Sequence, residues 1–298
     1  MAGYPWFTDW GRDAMISLRG ILLVRGRHTE AREVLNMFAT HMRDGLIPNR
    51  FPDVGEEPEY NTADATLWLA WMAECYRQQT GDEDGILRVG ETGWQVTWMD
   101  AKVGDHVVTP REGKPVEIAA LWLQFLQVLA DSARRYDDLA TRRIADDLLR
   151  RARESFMSRF WIADLRYLAD VVDDLGRQDP RLRPNQLLAL AIQLPPVPRD
   201  TAKHIVHTVG RHLLTPYGLR TLAPYDPEYR GRYQGDVWSR DTAYHQGTVW
   251  TWLLGPYADA LLFAFGESAS TLSRVRALLK PFEKHLRHAG LGTVSEIF

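Results

Sequence analysis

The chain has 298 residues, of which 45% are hydrophobic and 25% charged, as is typical of a globular protein with one large or two small domains. Its formal net charge of −3 gives no electrostatic basis for binding nucleic acid or an anionic membrane, and a single cysteine, Cys75, excludes an intrachain disulfide. No uninterrupted apolar window is long enough to cross a bilayer and no signal peptide is recognisable, so we expect a soluble cytoplasmic protein.

Helical periodicity runs through most of the sequence, because apolar side chains recur at spacings of three and four residues. The predicted helices, in chain order, are 12–25, 30–43, 62–79, 116–136, 139–160, 184–193, 199–213, 242–265 and 268–288. Two short strands are predicted, near 105–109 and 167–172, and Pro256 is expected to kink or split the helix that contains it. The sequence therefore predicts an all-α protein.

The predicted helices are of two kinds. Segments 62–79 and 242–265 are apolar almost all round, as a helix buried on both sides should be, whereas 30–43, 139–160 and 268–288 carry charged residues opposite their apolar stripe. Buried and amphipathic helices alternate roughly along the chain, which favours two concentric layers closing into an α/α barrel. A bundle or a solenoid stays possible on periodicity alone, although no fixed-period repeat is present.

Aromatic residues are abundant, with eleven tryptophans and eleven tyrosines. A Trp-rich core would account for them, and so would sugar binding, because indole faces stack on the apolar face of a pyranose. Four clusters place aromatic residues beside charged or amide side chains: WFTDWGRD (6–13), YNTADATLW (60–68), WQVTWMDAK (94–102) and RDTAYHQGTVWTW (240–252).

Each of these polar residues has a structural explanation when it is taken singly. Asp13 and Asp64 could be helix-terminal acids, Glu117 could stabilise a helix start, and His245 could be a satisfied core histidine. Together, however, the clusters lie at the ends of apolar helices, and a barrel would gather those ends at one site.

The residue types at that site favour glycoside hydrolysis. No phosphate-binding loop, CxxC pair, HExxH or GxSxG motif occurs, and the histidines lack metal-ligand spacing, so we expect neither cofactor nor metal. Carboxylates combined with aromatic and amide groups are typical of glycosidases, in which one acid protonates the leaving oxygen and a second acts as base or nucleophile. Asp100 follows two tryptophans, and packing against indole rings disfavours the charged form of a carboxyl group, so Asp100 is a reasonable general acid. Spacing alone does not identify its partner.

Eight motifs resemble, in order, the C-terminal amylo-α-1,6-glucosidase domain of bacterial and archaeal glycogen debranching enzymes. They are WFTDWGRD (6–13), YNTADATLW (60–68), WQVTWMDAKVGD (94–105), GKPVEIAALW (113–122), LRPNQ (182–186), LLTPYGLRTL (213–222), RDTAYHQGTVW (240–250) and GLGTVSEIF (290–298). The resemblance implies an (α/α)6 barrel related to those of glucoamylase and trehalase. It also implies hydrolysis of the α-1,6-linked glucose at a glycogen branch point, with inversion.

The resemblance also assigns residues. It implies that Asp100 is the general acid and that Glu296 is the general base. The expected ligand is glycogen or a branched α-glucan oligosaccharide, with no nucleic acid or membrane partner. The predicted substrate-binding residues are Trp10, Arg12, Asp13, Asn61, Asp64, Trp98, Lys102, Glu117, Asn185, Gln186, His245, Gln246 and Trp250.

The sequence departs from the family pattern in length. Where the family has a further outer helix, only EDGILRVGE (83–91) follows the TGD motif at 80–82. The family's terminal helices and its N-terminal β-rich domain are also missing, so we expect one incomplete barrel domain over 1–298, truncated at both ends. Alternative functions are another α-glucosidase, a trehalase-like glycosidase, a disaccharide phosphorylase, or a catalytically inactive fragment that binds α-glucan.

Overall fold

The computed structural model describes residues 10–51, 57–80, 97–104, 106–173, 175–194, 196–288 and 292–298. The joining stretch 83–91 and Asp105 of the first predicted strand lie outside these residues. The chain divides into two compact units, one formed by Met1–Trp98 and Gln124–Leu149 and the other by Met99–Leu123 and Arg150–Phe298. The predicted single domain over 1–298 stays a prediction, and each unit is described by itself.

Three helices of the first unit pack through apolar faces. Their bounds are α1 Gly11–Leu18, which continues as a π-helical turn at Arg19–Leu23, α2 His28–Thr40 and α3 Asp64–Thr80. Both α1 and α2 pack against α3, and Met15 and Phe38 are fully buried. The residues from Ala65 to Ala70 are all buried. The prediction that α3 is buried on more than one side is confirmed.

Two long helices contribute residues to both units, α4 at Val116–Arg135 and α5 at Leu139–Phe160, and their predicted bounds are confirmed within one residue. Helix α4 is long and apolar enough to cross a membrane if only length and composition are considered. Core helices of soluble proteins meet the same two criteria. The expectation concerned an uninterrupted apolar window, and α4 is interrupted by Glu117, Gln124 and Asp131, so that expectation is not contradicted. Its first turn carries Glu117, which forms an ion pair with Arg111.

The second unit is organised around one inner helix, α9. The remaining helices are α6 Gln186–Ile192, α7 Arg199–His212, α8 Val237–Asp241, α9 Leu254–Phe265, α10 Ala269–Ala277 and α11 Lys280–His288. Helices α6, α7 and α10 all pack against α9. Leu254, Tyr257 and Leu261 are buried on α9, as its nearly uniform apolar sequence predicts.

The predicted helix 242–265 is wrong over its first half. Turns occupy most of 242–253, interrupted by a short strand, and α9 begins only at Leu254. Pro256 therefore lies in the first turn of a helix, where its missing N–H loses no hydrogen bond, so it neither kinks nor splits α9. The predicted helix 268–288 forms two helices, because turn residues separate α10 from α11.

Short antiparallel strands connect the helices of the second unit. Their bounds are β1 Lys102–Val103, β2 His106–Val107, β3 Lys114–Pro115, β4 Trp161–Ile162, β5 Tyr167–Leu168, β6 Val171–Val172, β7 Leu214–Thr215, β8 Gly218–Arg220 and β9 Val249–Trp250. The pairs are β1–β2, β3–β6 and β4–β5, and β7–β8–β9 form a three-stranded sheet. Both predicted strand regions are confirmed in part, although 167–172 holds two strands with different partners. The described residues are helix-rich, and the (α/α)6 barrel stays a prediction.

Candidate active site

Asp100, in the second unit, lies between two residues whose positions are fixed by buried side chains. The sulfur of Met99 is 3.5 Å from Nδ2 of Asn185, and the backbone N–H of Ala101 donates to Nδ1 of His245 at 3.3 Å. Met99 and His245 are fully buried, whereas Asp100 is half-buried. The backbone on each side of Asp100 is therefore held by the core, while Asp100 itself is only half-buried.

Glu296 is held by a segment that extends the sheet of β7, β8 and β9. Ile297 bridges Trp250 of β9 in antiparallel fashion. The N–H of Thr251 donates to the carbonyl oxygen of Glu296 at 3.2 Å, and the N–H of Phe298 donates to that of Val249 at 3.0 Å. These bonds position the Glu296 backbone, and its side chain is exposed.

Tyr244 links Glu296 to the surrounding aromatic residues. Its hydroxyl donates to Oε2 of Glu296 at 2.9 Å, and its ring centroid is 4.7 Å from that of Trp250 and 5.2 Å from that of Tyr233. Burial raises the pKa of Tyr244 well above its usual value, with further contributions from the negative charge of Glu296 and, more weakly, of Asp100. The phenol therefore stays protonated and available as a hydrogen-bond donor to Glu296.

The imidazole of His245 stacks on Trp250, with ring centroids 5.3 Å apart. The indole Nε1 of Trp250 donates to the carbonyl oxygen of Tyr244 at 2.9 Å. Of the residues predicted from sequence, the second unit thus brings Asp100, His245, Trp250 and Glu296 together around one tyrosine. Sequence analysis missed Tyr244, because nothing distinguishes it within RDTAYHQGTVW.

A buried cluster of charges lies behind the Asp100 loop. The guanidinium of Arg111 donates to both oxygens of Glu117 and to both oxygens of Asp170, at 2.7 Å for Nη2–Oε2 and 2.8 Å for Nε–Oδ2. Nδ2 of Asn185 donates to Oδ1 of Asp170 at 2.7 Å, and Nε of Arg183 is 3.6 Å from Oδ2. Glu117 and Asn185, predicted to bind substrate, are therefore engaged in this cluster, and Arg111, Asp170 and Arg183 are members that sequence analysis missed.

The charges in this cluster compensate one another. Burial favours the neutral form of Arg111, but the negative charges of Asp170 and Glu117 outweigh burial and raise its pKa. Burial raises the pKa of Glu117, against the opposing effect of Arg111. Arg183 is also buried, and burial lowers its pKa more than the negative charge of Asp170 raises it. The cluster therefore depends on Arg111, which carries the positive charge that both carboxylates require.

Gln186 and Gln246, also predicted to bind substrate, connect the backbone around this cluster. Oε1 of Gln246 accepts from Nη2 of Arg183 at 2.6 Å, and Oε1 of Gln186 accepts from the N–H of Leu168 at 3.1 Å. Gly247 follows with φ +146°, and a Cβ there would lie 2.6 Å from the carbonyl oxygen of Arg230. This position therefore requires glycine. Lys102 is exposed on β1.

The first unit holds the remaining predicted residues. The Nε of Arg12 donates to both oxygens of Asp64, at 3.0 and 2.9 Å, and its Nη2 donates to Oγ1 of Thr62 at 3.3 Å. Arg12 and Asp64 are both buried. The guanidinium of Arg12 is thus already paired with a carboxylate of this chain. The other predicted residues of this unit are Trp10 and Asn61, both half-buried, Asp13, half-buried in α1, and Trp98, 6% exposed.

No group of three or more His, Cys, Asp or Glu side chains could hold a metal ion within the part of the chain that the structure describes. The groups near Tyr244 are instead two carboxylates, a phenol and aromatic rings. This arrangement can supply one proton donor and one proton acceptor to a bound sugar.

Sequence comparison identifies relatives over the whole chain. The family model described as amylo-alpha-1,6-glucosidase matches residues 1–88 and 76–298. The glycogen debranching enzyme of Saccharomyces cerevisiae is 26% identical over 390 aligned residues, which cover 87% of this chain and 25% of the relative. The chain thus spans about a quarter of that relative's length. Because the alignment is longer than the 298-residue chain, the yeast protein carries segments without a counterpart here.

Comparison with solved structures shows a shared fold. A rhamnosidase from Klebsiella oxytoca, solved with rhamnose bound, superposes with a TM-score of 0.59 at 14% identity, covering 98% of this chain and 52% of that one. A sialidase superposes with a TM-score of 0.52 at 13% identity, covering 100% of this chain and 24% of that one. At such identities the likeness concerns the fold alone.

Proposed function

The chain belongs to the amylo-alpha-1,6-glucosidase family, and from this membership we propose that it hydrolyses the α-1,6-linked glucose at branch points of glycogen or limit dextrin. The observation that supports the proposal is the hydrogen bond from Tyr244 to Glu296, beside His245, whose Nδ1 accepts from the N–H of the residue that follows Asp100. The cytoplasmic location and the lack of a cofactor stay predictions.

Asp100 acts as the general acid and Glu296 as the general base. Asp100 protonates the glycosidic oxygen while Glu296 removes a proton from a water molecule on the opposite face of the sugar, and the anomeric centre inverts. Since Tyr244 donates to Oε2 of Glu296, Oε1 is left to accept the proton from water. In inverting glycosidases the two carboxyl groups lie roughly 6.5–9.5 Å apart to admit that water.

The stereochemistry of the first product tests this mechanism. A branched α-glucan oligosaccharide that carries a single α-1,6-linked glucose is digested in an NMR tube, and the anomeric proton of the released glucose is followed before mutarotation. We expect β-glucose to appear first, because the substrate bond is α and the reaction inverts it. First appearance of α-glucose contradicts inversion, and a digest that yields no glucose contradicts the proposed activity.

The Tyr244→Phe variant tests the orientation of the base. Loss of a hydrogen bond to a charged group corresponds to a kcat reduced by about 10- to 100-fold. We expect KM to change little, because the hydroxyl contacts Glu296 and acts through it. The matched control is Tyr167→Phe, which removes a hydroxyl that donates to the carbonyl oxygen of Pro180 at 2.7 Å. Equal losses in the two variants would show that Tyr244 has only a structural role.

A further inference from the structure

We propose that residues 230–239, together with His106, form a subsite for a linear α-glucan chain on the leaving-group side of the catalytic pair. The inference rests on the proposed function and extends it, since it specifies where the chain that carries the branch is bound.

The first observation is a groove of about 530 Å³ along this segment. Its lining includes four polar residues, Arg230, Arg232, Gln234 and Ser239. Every residue from 230 to 239 is exposed. Such a surface offers hydrogen-bond donors and acceptors of the kind that sugar hydroxyls require.

The second observation is the exposed aromatic surface in the same segment. Trp238, on α8, is 49% exposed, and its ring centroid is 5.1 Å from that of His106. Tyr233 is 37% exposed. A neutral, polyhydroxylated chain fits this combination, because the apolar face of each pyranose stacks on an indole while its edges reach polar groups.

The segment is attached directly to the candidate active site. The N–H of Arg230 donates to the carbonyl oxygen of Gln246 at 2.6 Å, and Nη1 of Arg230 donates to Oγ1 of Thr242 at 2.6 Å. Ala243 lines the groove immediately before Tyr244. The groove therefore adjoins the tyrosine that contacts Glu296.

The position of His106 indicates which side of the scissile bond the subsite serves. His106 lies on β2, which pairs with β1 in the hairpin that follows Asp100. A general acid protonates the oxygen of the departing group, so that group leaves on the side of the acid. Trp238 stacks beside this hairpin and is therefore placed for the departing chain.

The Trp238→Ala variant tests the subsite by comparing two substrates. α-Glucosyl fluoride has no chain on the leaving-group side, whereas limit dextrin has a long one. We expect kcat/KM for limit dextrin to fall about tenfold, as loss of a stacking contact implies, and kcat/KM for the fluoride to stay unchanged. Tyr136→Ala, which removes a 56% exposed aromatic ring elsewhere, is the control. Equal losses on both substrates, or no loss on either, overturn the subsite.

A binding measurement separates this inference from the proposed function. Retention by glycogen in native affinity electrophoresis is compared for the wild type, Trp238→Ala and the exposed-site variant Arg232→Ala, with circular dichroism as the check on folding. If the wild type releases no glucose, the proposed function fails, and retention that depends on Trp238 and Arg232 still supports a glucan site. Retention that is identical in all three proteins overturns it.

Discussion

Replacing Asp100 with Asn or Glu296 with Gln is expected to lower kcat on limit dextrin by a factor on the order of 10²–10⁴, the usual contribution of a positioned acid or base. Each substitution removes a proton-transfer group and preserves side-chain size, so the protein is expected to stay folded. The measurement is glucose release under saturating substrate, with thermal unfolding followed by circular dichroism.

Two exposed residues of the second unit provide matched controls for these substitutions, Asp164→Asn and Glu283→Gln. Neither is among the candidate site residues, and both variants are expected to turn over at the wild-type rate. If Asp100→Asn or Glu296→Gln retains most of its activity, that residue loses its assigned role, whatever the other variant shows.

Arg111→Ala is expected to have the largest effect on stability. Removing this guanidinium leaves Glu117 and Asp170 buried without their shared cation, which costs about 3–5 kcal/mol of the free energy of unfolding when one partner of a buried ion pair is lost. Chemical denaturation of the variant measures that cost. The side chains of all three residues are at most 3% exposed, so the cluster lies away from bulk water in the wild type.

Arg150→Ala is the matched control, because Arg150 also pairs with a carboxylate, Glu154 at 2.9 Å, but on the exposed face of α5. Exposed ion pairs contribute at most about 1 kcal/mol, so little change is expected. The double variant Arg111→Ala/Glu117→Gln removes one of the two stranded charges and is expected to recover part of the stability. A loss in Arg111→Ala no greater than in the control would mean that the cluster does not stabilise the second unit.

The sequence predicted helices well where periodicity was long and regular. The bounds of α4 and α5 are confirmed because each helix exceeds five turns and keeps a repeating apolar pattern. The segment 242–253 is not helical although it is rich in aromatic and apolar residues, all of which are half-buried or buried. They form the turns and the strand around Tyr244 and Trp250, and apolar content alone does not distinguish these structures.

The candidate site was predictable as a set of motifs and less so as a set of contacts. Arg12 and Asp64 each stood out beside aromatic residues, yet the sequence could not show that they bind each other across 52 positions. Likewise, no pattern in the neighbouring sequence identifies Arg111 as a member of the buried cluster, because its partner Asp170 lies 59 positions away. Such pairings arise from tertiary packing, which periodicity and composition do not encode.

The pairing of the Glu296 segment with β9 means that a few backbone bonds, and not the helical core, hold the proposed base in position. The segment is held by a few backbone bonds and by Phe298, which stacks on Tyr217 with ring centroids 4.5 Å apart, and segments with so few bonds open locally with a smaller free energy than buried helices. Undocking this segment withdraws the base and leaves Asp100 in place. In the proposed mechanism, local opening of this segment would remove the base while the helices of the second unit stay folded.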